Sequence, residues 1–360
     1  MVKIGVILML FTSEIYRKDI QNIIDLPLLW EKLKGRSLLL TGCSGLIGTM
    51  MIDVLMQKNK QDNLRLTLYA IGRNEEKAKE RFQEYWENPY FEFVPMDVNN
   101  PILIDKDADY IIHAASNTHP KLYATDPIGS LLTNLEGLYN LLEYGRSHGV
   151  KRTLFLSSVE IYGEALSSDD IFDENYCGYI DCNTVRACYP EGKRAGEALC
   201  NAFISKYNMD IVIPRLSRVY GPTMRLDDSK AMSQFILNGV SGREIVLKSL
   251  GQQKYSYCYV GDVVQGLLYC LLQGKSGEAY NIADTKTDML LKDIAQYIAD
   301  LNGKKVIYNL PDKIEQKGFS KVTIGVMDSS KLQQLGWKPF DNLKSGIEKT
   351  IQILKELNYI

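Results

Sequence analysis

The 360-residue chain has few histidines, no excess of charge of either sign and no long run of apolar residues. Its three histidines, His113, His119 and His148, show no ligand spacing, so we expect no metal site. A formal net charge of -2 argues against the basic surface that nucleic-acid binding needs. The apolar start, residues 1–11, is far shorter than the roughly 20 residues that span a bilayer, so we expect no membrane association.

The seven cysteines form no framework of regular spacing, which suggests a reducing compartment and predicts a cytoplasmic protein. Cys177, Cys182 and Cys188 lie close together but match no common zinc pattern. Residues 13–18 are charged and contain no small-residue cleavage site, so a signal peptide is disfavoured. Residues 1–36 form a predicted N-terminal extension. We interpret its first residues as an added strand, a packed extension or the product of an upstream start codon.

Apolar segments of strand length alternate with segments of helical periodicity, which predicts an α/β fold with a Rossmann-type, doubly wound parallel sheet. A helical lead-in is predicted over 14–36, and the segments 257–262 and 279–282 are expected to return to the main sheet. The other predicted strands are 37–41, 66–71, 91–94, 110–112, 153–156 and 211–213, and the predicted helices are 46–57, 74–86, 131–148 and 188–207.

The pattern loosens after residue 222, which predicts two parts with a cleft between them. Residues 37–222, with return segments near 255–285, form the predicted dinucleotide-binding domain. Residues 223–254 and 286–360 form the predicted substrate-binding lobe, a smaller mixed α/β unit.

A glycine-rich turn predicts a dinucleotide site. Gly42, Gly45 and Gly48 follow a strand and open a helix, which is the context that such a turn requires. Glycines let the backbone approach a pyrophosphate closely, and the helix N-terminus offers free N–H groups and a partial positive charge. We assign Leu46 and Ile47 to the same cofactor loop.

The sequence leaves the choice between NAD and NADP open. No acidic residue stands at the end of the second strand, where one would bind the ribose hydroxyls. Arg73 can stack on adenine or pair with a 2′-phosphate. Asp97 and Val98 follow the third strand and suit a contact with the adenine amino group, although an aspartate that caps a turn fits Asp97 equally well.

Tyr189 and Lys193 lie four residues apart on one face of a predicted helix. The ammonium and a cationic nicotinamide would both lower the phenol pKa from about 10 towards neutrality, so that Tyr189 can act as a base. Ser158 would orient the same substrate hydroxyl. Glu160, at the same strand end, is either a functional carboxylate in the cleft or the anchor of a loop.

In this order, the motifs resemble the extended short-chain dehydrogenase/reductases, the family of nucleotide-sugar epimerases, dehydratases and decarboxylases. The resemblance runs from about Leu38 to Pro339. Besides the segments above, it rests on His113-Ala114-Ala115-Ser116, Asn134, Arg215, Tyr220-Gly221-Pro222, Tyr280-Asn281-Ile282-Ala283 and Leu335-Gly336-Trp337-Lys338-Pro339.

The resemblance implies site residues and an assembly. Ser158, Tyr189 and Lys193 would form the catalytic triad, and the cofactor would stay bound while it is reduced and reoxidised. The implied cofactor contacts also include Ala114, Ala115, Ser116 and Asn134. Many proteins of this fold pair two helices from each subunit, and the helices from Leu131 and Cys188 carry apolar residues on more than one face, so we predict a homodimer.

Within the family, the segment from Arg186 to Arg194 is most similar to the UDP-glucuronate decarboxylases, which also carry a Glu where Glu160 stands. Glucose 4,6-dehydratases are expected to have an Asp in place of Val159, and Val159 can neither give nor take a proton. Simple 4-epimerases usually have a small residue or threonine in place of Glu160. The carboxylate therefore favours chemistry beyond oxidation and reduction at C4.

Two residues depart from the decarboxylase pattern. Tyr255 stands where an Arg is expected, and Lys254 beside it offers a point charge without the bidentate fork. Arg218 stands where an Asn is expected, and it either restores the charge lost at Tyr255 or pairs with an acid such as Glu160. We assign Arg218, Lys254, Tyr255 and Ser158 to the substrate site.

The sequence thus predicts an NAD(P)-dependent enzyme that modifies a nucleotide-linked sugar through a transient 4-keto intermediate. Decarboxylation of UDP-glucuronate is the favoured reaction, and epimerisation of a nucleotide sugar is the alternative. A dinucleotide-binding sensor without activity would be expected to lose the tyrosine or the lysine, and both are present. A reductase for small carbonyl compounds would not need the long C-terminal lobe.

Overall fold

The computed structural model describes residues 7–118, 120–167, 169–286, 288–309 and 323–358. His119 lies outside the described residues. The strands, numbered in chain order, are β1 Ser37–Thr41, β2 Thr67–Gly72, β3 Phe91–Pro95, β4 Tyr110–His113, β5 Arg152–Phe155, β6 Ser157–Ser158, β7 Ile211–Leu216, β8 Arg218–Tyr220, β9 Ile245–Leu247, β10 Lys254–Tyr255, β11 Tyr257–Tyr259, β12 Ala279–Ile282, β13 Met289–Leu290, β14 Val306–Tyr308 and β15 Ile324–Gly325.

The α-helices in the described part of the chain are α1 Glu14–Ile24, α2 Leu46–Asp62, α3 Glu75–Arg81, α4 Pro120–Thr125, α5 Pro127–Ser147, α6 Cys188–Tyr207, α7 Ala231–Val240, α8 Val260–Gln273, α9 Leu291–Leu301, α10 Ser330–Gln333 and α11 Leu343–Glu356. Short 3₁₀ helices cover Ile7–Thr12, Trp30–Leu33, Val159–Tyr162 and Val185–Ala187. None of the described helices is both long and apolar enough to cross a membrane.

The main sheet is parallel, in the order β12-β7-β5-β4-β1-β2-β3, with the short β6 also paired to β7. Its strands read as apolar runs because helices cover both faces, and Leu38, Leu39 and Leu40 of β1 are at most 1% exposed. The strand order reverses between β1 and β4, and in open α/β sheets ligands bind beyond the strand ends at such a point. The predicted fold class is confirmed.

Three small sheets lie outside the main one, in the orders β13-β10-β15, β11-β8 and β14-β9. β12 returns to the main sheet as predicted, but the prediction that the segment from Tyr257 also does so is wrong. The chain leaves β7 at Ser217 and continues as β8, and Tyr257–Tyr259 pairs with this outlying strand. A short aromatic run indicates a buried strand without indicating its partner, so the sequence did not distinguish the two pairings.

The N-terminal extension is part of the core. The predicted helical lead-in ends at Ile24, because Pro27 has no backbone N–H to continue it, and residues 7–12 form a 3₁₀ helix rather than a strand. Tyr16 donates a 2.6 Å hydrogen bond to Asp53 of α2, and Tyr259 of β11 donates one of 2.7 Å to Asp19. The extension therefore ties α2, which packs on the main sheet, to the outlying strand β11.

We predict that Ile23→Ala lowers the free energy of unfolding by about 2–5 kcal/mol, because the side chain is 1% exposed and packs in the main core cluster. The matched control is Leu29→Ala, just beyond the helix, where the side chain is 48% exposed and the change should stay within about 0.5 kcal/mol. Denaturant unfolding of the two variants checks this. Equal effects would show that α1 is not part of the core.

Candidate active site

The glycine-rich turn lies at the reversal point of the sheet, between β1 and α2. A side chain at Gly48 would overlap the carbonyl oxygen of Gly42, so the turn closes only with glycine there. Gly42 has φ +71°, and a Cβ on it would lie 2.8 Å from the backbone of Ala114. No side chain caps the N-terminus of α2, where Leu46 and Ile47 are partly exposed, so its first N–H groups are left for water or a ligand.

The loop after β4 forms the other wall of this cleft. The Thr41 hydroxyl accepts from Ala115 N at 3.1 Å and lies 2.8 Å from His113 Nδ1, so it holds the two strand ends together. Burial lowers the pKa of His113 to about 3, and the imidazole stays neutral. Ser116 donates a 3.0 Å hydrogen bond to Asn134 of α5, which links the loop to that helix.

At the far end of the cleft, the ends of β2 and β3 bring Arg73 and Asp97 together. Their charged atoms are 3.8 Å apart, and the Arg73 side chain is largely exposed. Asp97 also accepts from Asn99 N at 3.0 Å, as a turn-capping aspartate does. Val98 is buried against α5, near Gly137. An acidic and a basic group thus share the place where an adenosine ribose would lie.

The predicted catalytic residues meet where β6 approaches the start of α6. Ser158 hydrogen-bonds the phenol of Tyr189, and its hydroxyl also accepts from Glu160 N at 3.3 Å. Tyr189 and Lys193 lie one turn apart on α6 and are 7% and 3% exposed. The Lys193 ammonium donates to Leu156 O at 2.7 Å, at the end of β5. All three predicted triad residues therefore line one buried wall.

The protein's own groups make Tyr189 a weak acid. Burial, followed by the Glu160 carboxylate, raises its pKa to about 12 against the lowering effect of Ser158, Arg186 and Arg218. Burial also lowers the pKa of Lys193 to about 7, with Glu197 opposing it. The shift of the Tyr189 pKa towards neutrality that we predict from Lys193 and a cationic cofactor is therefore not produced by the protein's own groups.

Glu160 is clamped between two guanidinium groups. Arg186 binds one of its carboxylate oxygens, and Arg218 Nη1 lies 3.0 Å from the other. Burial alone would raise the pKa of Glu160, but the two arginines hold it below its usual value. Glu160 is therefore an ionised carboxylate in a buried wall, with both oxygens engaged.

Arg186 is packed behind the tyrosine. Its guanidinium lies 4.5 Å from the centre of the Tyr123 ring and 5.9 Å from that of Tyr189, and these two rings are 5.0 Å apart. Its side chain is 11% exposed. Arg186 opens the motif that runs to Arg194, whereas Tyr123 belongs to none of the motifs in the sequence. Because Arg186 stands three residues before Tyr189, its position in the sequence indicates that it lies near the tyrosine. Nothing in the sequence indicates that the short α4, which carries Tyr123, faces the site.

The substrate residues predicted near position 255 do not all point the same way. The Arg218 guanidinium lies 4.6 Å from the centre of the Tyr255 ring, so β8 and β10 bring these two residues together. Lys254 precedes Tyr255 in the same strand, and successive side chains of a strand point to opposite faces. The structure therefore joins Arg218, Tyr255 and Glu160 and separates Lys254 from them.

A second buried ion pair joins α6 to β7 of the main sheet. Arg215 of β7 binds both carboxylate oxygens of Glu197, at 3.0 and 2.7 Å, and Ser157 donates to the same carboxylate at 2.5 Å. Arg215 Nη1 also donates to the Tyr162 hydroxyl at 3.1 Å. This cluster fixes β6, and with it Ser158, against the helix that carries Tyr189.

Residues 38–283 match the model of a protein family described as the NAD dependent epimerase/dehydratase family. The chain belongs to this family. It is 31% identical over 315 residues to UDP-glucuronic acid decarboxylase 3 of Arabidopsis thaliana, a match that covers 86% of each chain. Its identity to UDP-glucuronic acid decarboxylase 1 of Danio rerio is 30%, over 88% of this chain and 72% of that protein.

Solved structures share the fold. An epimerase from Methanothermobacter thermautotrophicus superposes with a TM-score of 0.77 at 22% identity, over 91% of this chain and 94% of that one. UDP-glucuronic acid 4-epimerase from Bacillus cereus, solved in complex with UDP-glucuronic acid and NAD, gives a TM-score of 0.75 at 22% identity, over 89% and 99%. These likenesses confirm the fold, and the family match with the decarboxylase relatives confirms the prediction of an NAD-dependent enzyme that modifies nucleotide sugars.

The glycine turn fits the cofactor of this family. Its backbone approaches Ala114 so closely that no side chain fits at Gly42, and α2 begins with uncapped N–H groups. Such a cradle suits the two phosphates of NAD.

We predict that Gly48→Ala weakens NAD binding by about tenfold or more, or about 1.4 kcal/mol, because the new Cβ overlaps Gly42 O and opens the turn. Isothermal titration calorimetry measures the affinity. The matched control is Gly303→Ala, at φ +61° with no described atom within 4 Å of the added Cβ, which should leave NAD binding unchanged. Unchanged binding by Gly48→Ala would contradict the assignment of this turn to the cofactor.

Proposed function

We propose that this protein oxidises C4 of a nucleotide-linked hexuronate, releases the C5 carboxylate as carbon dioxide and reduces the resulting ketone. The observation that carries the proposal is the buried cluster of Ser158, Tyr189 and the clamped Glu160, which follows a strand of the same parallel sheet as the glycine turn. The relatives named UDP-glucuronic acid decarboxylase support the same reaction. UDP-glucuronate is the proposed substrate.

In this proposal, Tyr189 handles the proton of the C4 hydroxyl. Bound NAD supplies a hydride acceptor and, as a cation, a positive charge that favours the phenolate. Ser158 is hydrogen-bonded to the phenol and would orient the substrate oxygen. Lys193 lies one helical turn from Tyr189 and is anchored on Leu156 O, and its pKa of about 7 would let it exchange a proton near neutral pH. The high pKa of about 12 then suits Tyr189 to return the proton when the ketone is reduced.

Decarboxylation needs little beyond the 4-keto group. Once C4 is a ketone, the sugar is a β-keto acid, and the electron pair of the C5–C6 bond moves towards the C4 oxygen as carbon dioxide leaves. A proton then adds to C5, and C4 is reduced again by the hydride removed in the first step. Ser158 and Tyr189 would stabilise the C4 oxygen throughout.

Glu160 is poorly suited to carry a proton. Both oxygens accept from guanidinium groups, and its pKa lies below the usual value, so it stays ionised near neutral pH. Elimination across C5 and C6 in a 4,6-dehydration needs a base and an acid, and Val159 supplies neither. We infer that Glu160 positions Arg218 and Arg186. Epimerisation of a nucleotide sugar is the second candidate, since the Bacillus cereus structure belongs to a 4-epimerase.

The ribose end of the cleft favours NAD over NADP in this proposal. Arg73, the group that could pair with a 2′-phosphate, already lies 3.8 Å from Asp97. The Asp97 carboxylate would also repel a 2′-phosphate and accept from ribose or adenine donors. The remaining predicted contacts, through Ala114, Ala115, Ser116, Asn134 and the glycine turn, serve both cofactors alike.

The homodimer and the cytoplasmic location predicted from the sequence remain proposals. Support for the dimer is the packed pair α5 and α6, whose outer face carries a shallow groove lined by Leu135, Tyr139 and Leu199. Tyr139 is 50% exposed. A second pair of the same helices would cover this surface.

The proposal predicts that the purified protein, supplied with NAD, converts UDP-glucuronate into a product lighter by the mass of carbon dioxide. Mass spectrometry of the reaction mixture checks this, with Tyr189→Phe as the matched control that removes only the hydroxyl. Tyr189→Phe should bind NAD and yield no product.

Each other outcome has a distinct meaning. A new isomer of unchanged mass, separated chromatographically, would replace decarboxylation with epimerisation. Unchanged UDP-glucuronate, with NAD shown to be bound, would contradict the proposed reaction on this substrate. Equal product from Tyr189→Phe would overturn the role given to the tyrosine.

A further inference from the structure

The wall beside Tyr189 holds one carboxylate and two guanidinium groups. Arg186 and Arg218 bind opposite oxygens of Glu160, so the cluster carries a surplus of one positive charge. An excess charge in a buried wall is costly unless a group of opposite sign pairs with it. The balance would be completed by one anionic group from a ligand.

The two arginines differ in their access to the cleft. The Arg186 side chain is 11% exposed and stacks beside Tyr123 and Tyr189. The Arg218 side chain is 32% exposed. A guanidinium carries five N–H donors, more than the contacts of Arg218 with Glu160 and Tyr255 require. Arg218 is therefore the cation that a ligand can reach.

The Tyr255 ring fixes the direction of Arg218. The guanidinium lies 4.6 Å from the ring centre, and the two side chains also share a hydrogen bond. Tyr255 is itself confined, because a Cβ on the neighbouring Gly325 would lie 2.8 Å from its ring. An arginine held by a ring and a carboxylate has lost most of its rotamer freedom before a ligand arrives, so less entropy is lost on binding.

We propose that Arg218, held on Tyr255 and Glu160, is the specificity-determining residue that binds the sugar carboxylate of a nucleotide-linked hexuronate. This inference rests on the proposed function and names the residue that selects its substrate. It accounts for the two departures in the sequence together: the guanidinium expected at position 255 comes instead from β8, the strand that pairs with β11. Lys254, on the other face of β10, has no part in this subsite.

The test measures binding without turnover. NAD-saturated Tyr189→Phe protein is titrated calorimetrically with UDP-glucuronate and with UDP-glucose, which differ only in the C5 substituent. The same titrations are repeated with double variants that combine Tyr189→Phe with Arg218→Asn, with Arg218→Lys or with the control substitution Lys254→Ala. We expect each variant to fold, because Arg186 still pairs with Glu160 in all of them. Circular dichroism and the melting temperature check this.

We expect the parent to bind UDP-glucuronate at least about tenfold more tightly than UDP-glucose, as a charge-assisted bidentate contact provides. Arg218→Asn should abolish this preference and leave the affinity for UDP-glucose unchanged. Arg218→Lys should restore part of it, and Lys254→Ala should retain all of it.

Several results would overturn the inference. One is that the parent Tyr189→Phe protein binds UDP-glucuronate no more tightly than UDP-glucose, or binds neither. Another is that the preference for UDP-glucuronate survives Arg218→Asn. Equal weakening of both ligands would assign Arg218 to the diphosphate instead. The proposed reaction is judged separately, by release of carbon dioxide from UDP-glucuronate. A preference that depends on Arg218 without any product would leave the subsite standing while the reaction fails. Formation of product, with a preference for UDP-glucuronate that does not depend on Arg218, would support the reaction and overturn the subsite.

Discussion

The ionised Glu160 and its two arginines hold together the three structural elements that surround Tyr189. Glu160 follows β6, Arg186 precedes α6, and Arg218 begins β8, so the main sheet, the tyrosine helix and the C-terminal strands all contribute to one buried charge cluster. Removal of one member would leave an unpaired buried charge, which is commonly costly. The cluster thereby fixes the wall against which Tyr189 lies and gives that wall a net positive charge.

Around this cluster, the fold brings the glycine turn and the predicted catalytic residues to one edge of the main sheet. The reversal of strand order between β1 and β4 opens the cleft, and the glycine turn allows the backbone to form its floor. The Glu197–Arg215 ion pair holds β6 against α6 from below. The N-terminal helix α1, through Tyr16 and Asp19, ties the two halves of the core together. Of these contacts, the ion pair and the Ser157 hydrogen bond to Glu197 hold Ser158 and the helix that carries Tyr189 and Lys193 in place.

Much of this could be predicted from the sequence because the signals are local. The parallel sheet follows from the alternation of apolar strands and periodic helices, α6 was predicted with the bounds that it has, and the glycine turn and Tyr189–Lys193 spacing indicate a dinucleotide enzyme. The pairing of β11 with β8 was not predictable, since a three-residue strand carries no record of its partner. The stacking of Arg218 on Tyr255 depends on that pairing, so the sequence left its role open.

The same reason explains why the electrostatics of the site needed the structure. From the sequence, Lys193 and a cationic nicotinamide are expected to lower the pKa of Tyr189, but among the protein's own groups burial and Glu160 dominate the pKa of the phenol. Glu160 was either a functional carboxylate or a loop anchor, and its two partners come from residues 26 and 58 positions further along the chain. Such contacts between distant residues are set by the tertiary fold.

The most direct test is a crystal structure of Tyr189→Phe with NAD and UDP-glucuronate bound. We expect the sugar carboxylate to lie within about 3.2 Å of the Arg218 guanidinium, while Glu160 keeps its contact with Arg186. We also expect C4 to face residue 189 and Ser158. A carboxylate directed towards Lys254 or solvent, with Arg218 on the diphosphate or on Glu160 alone, would contradict this expectation.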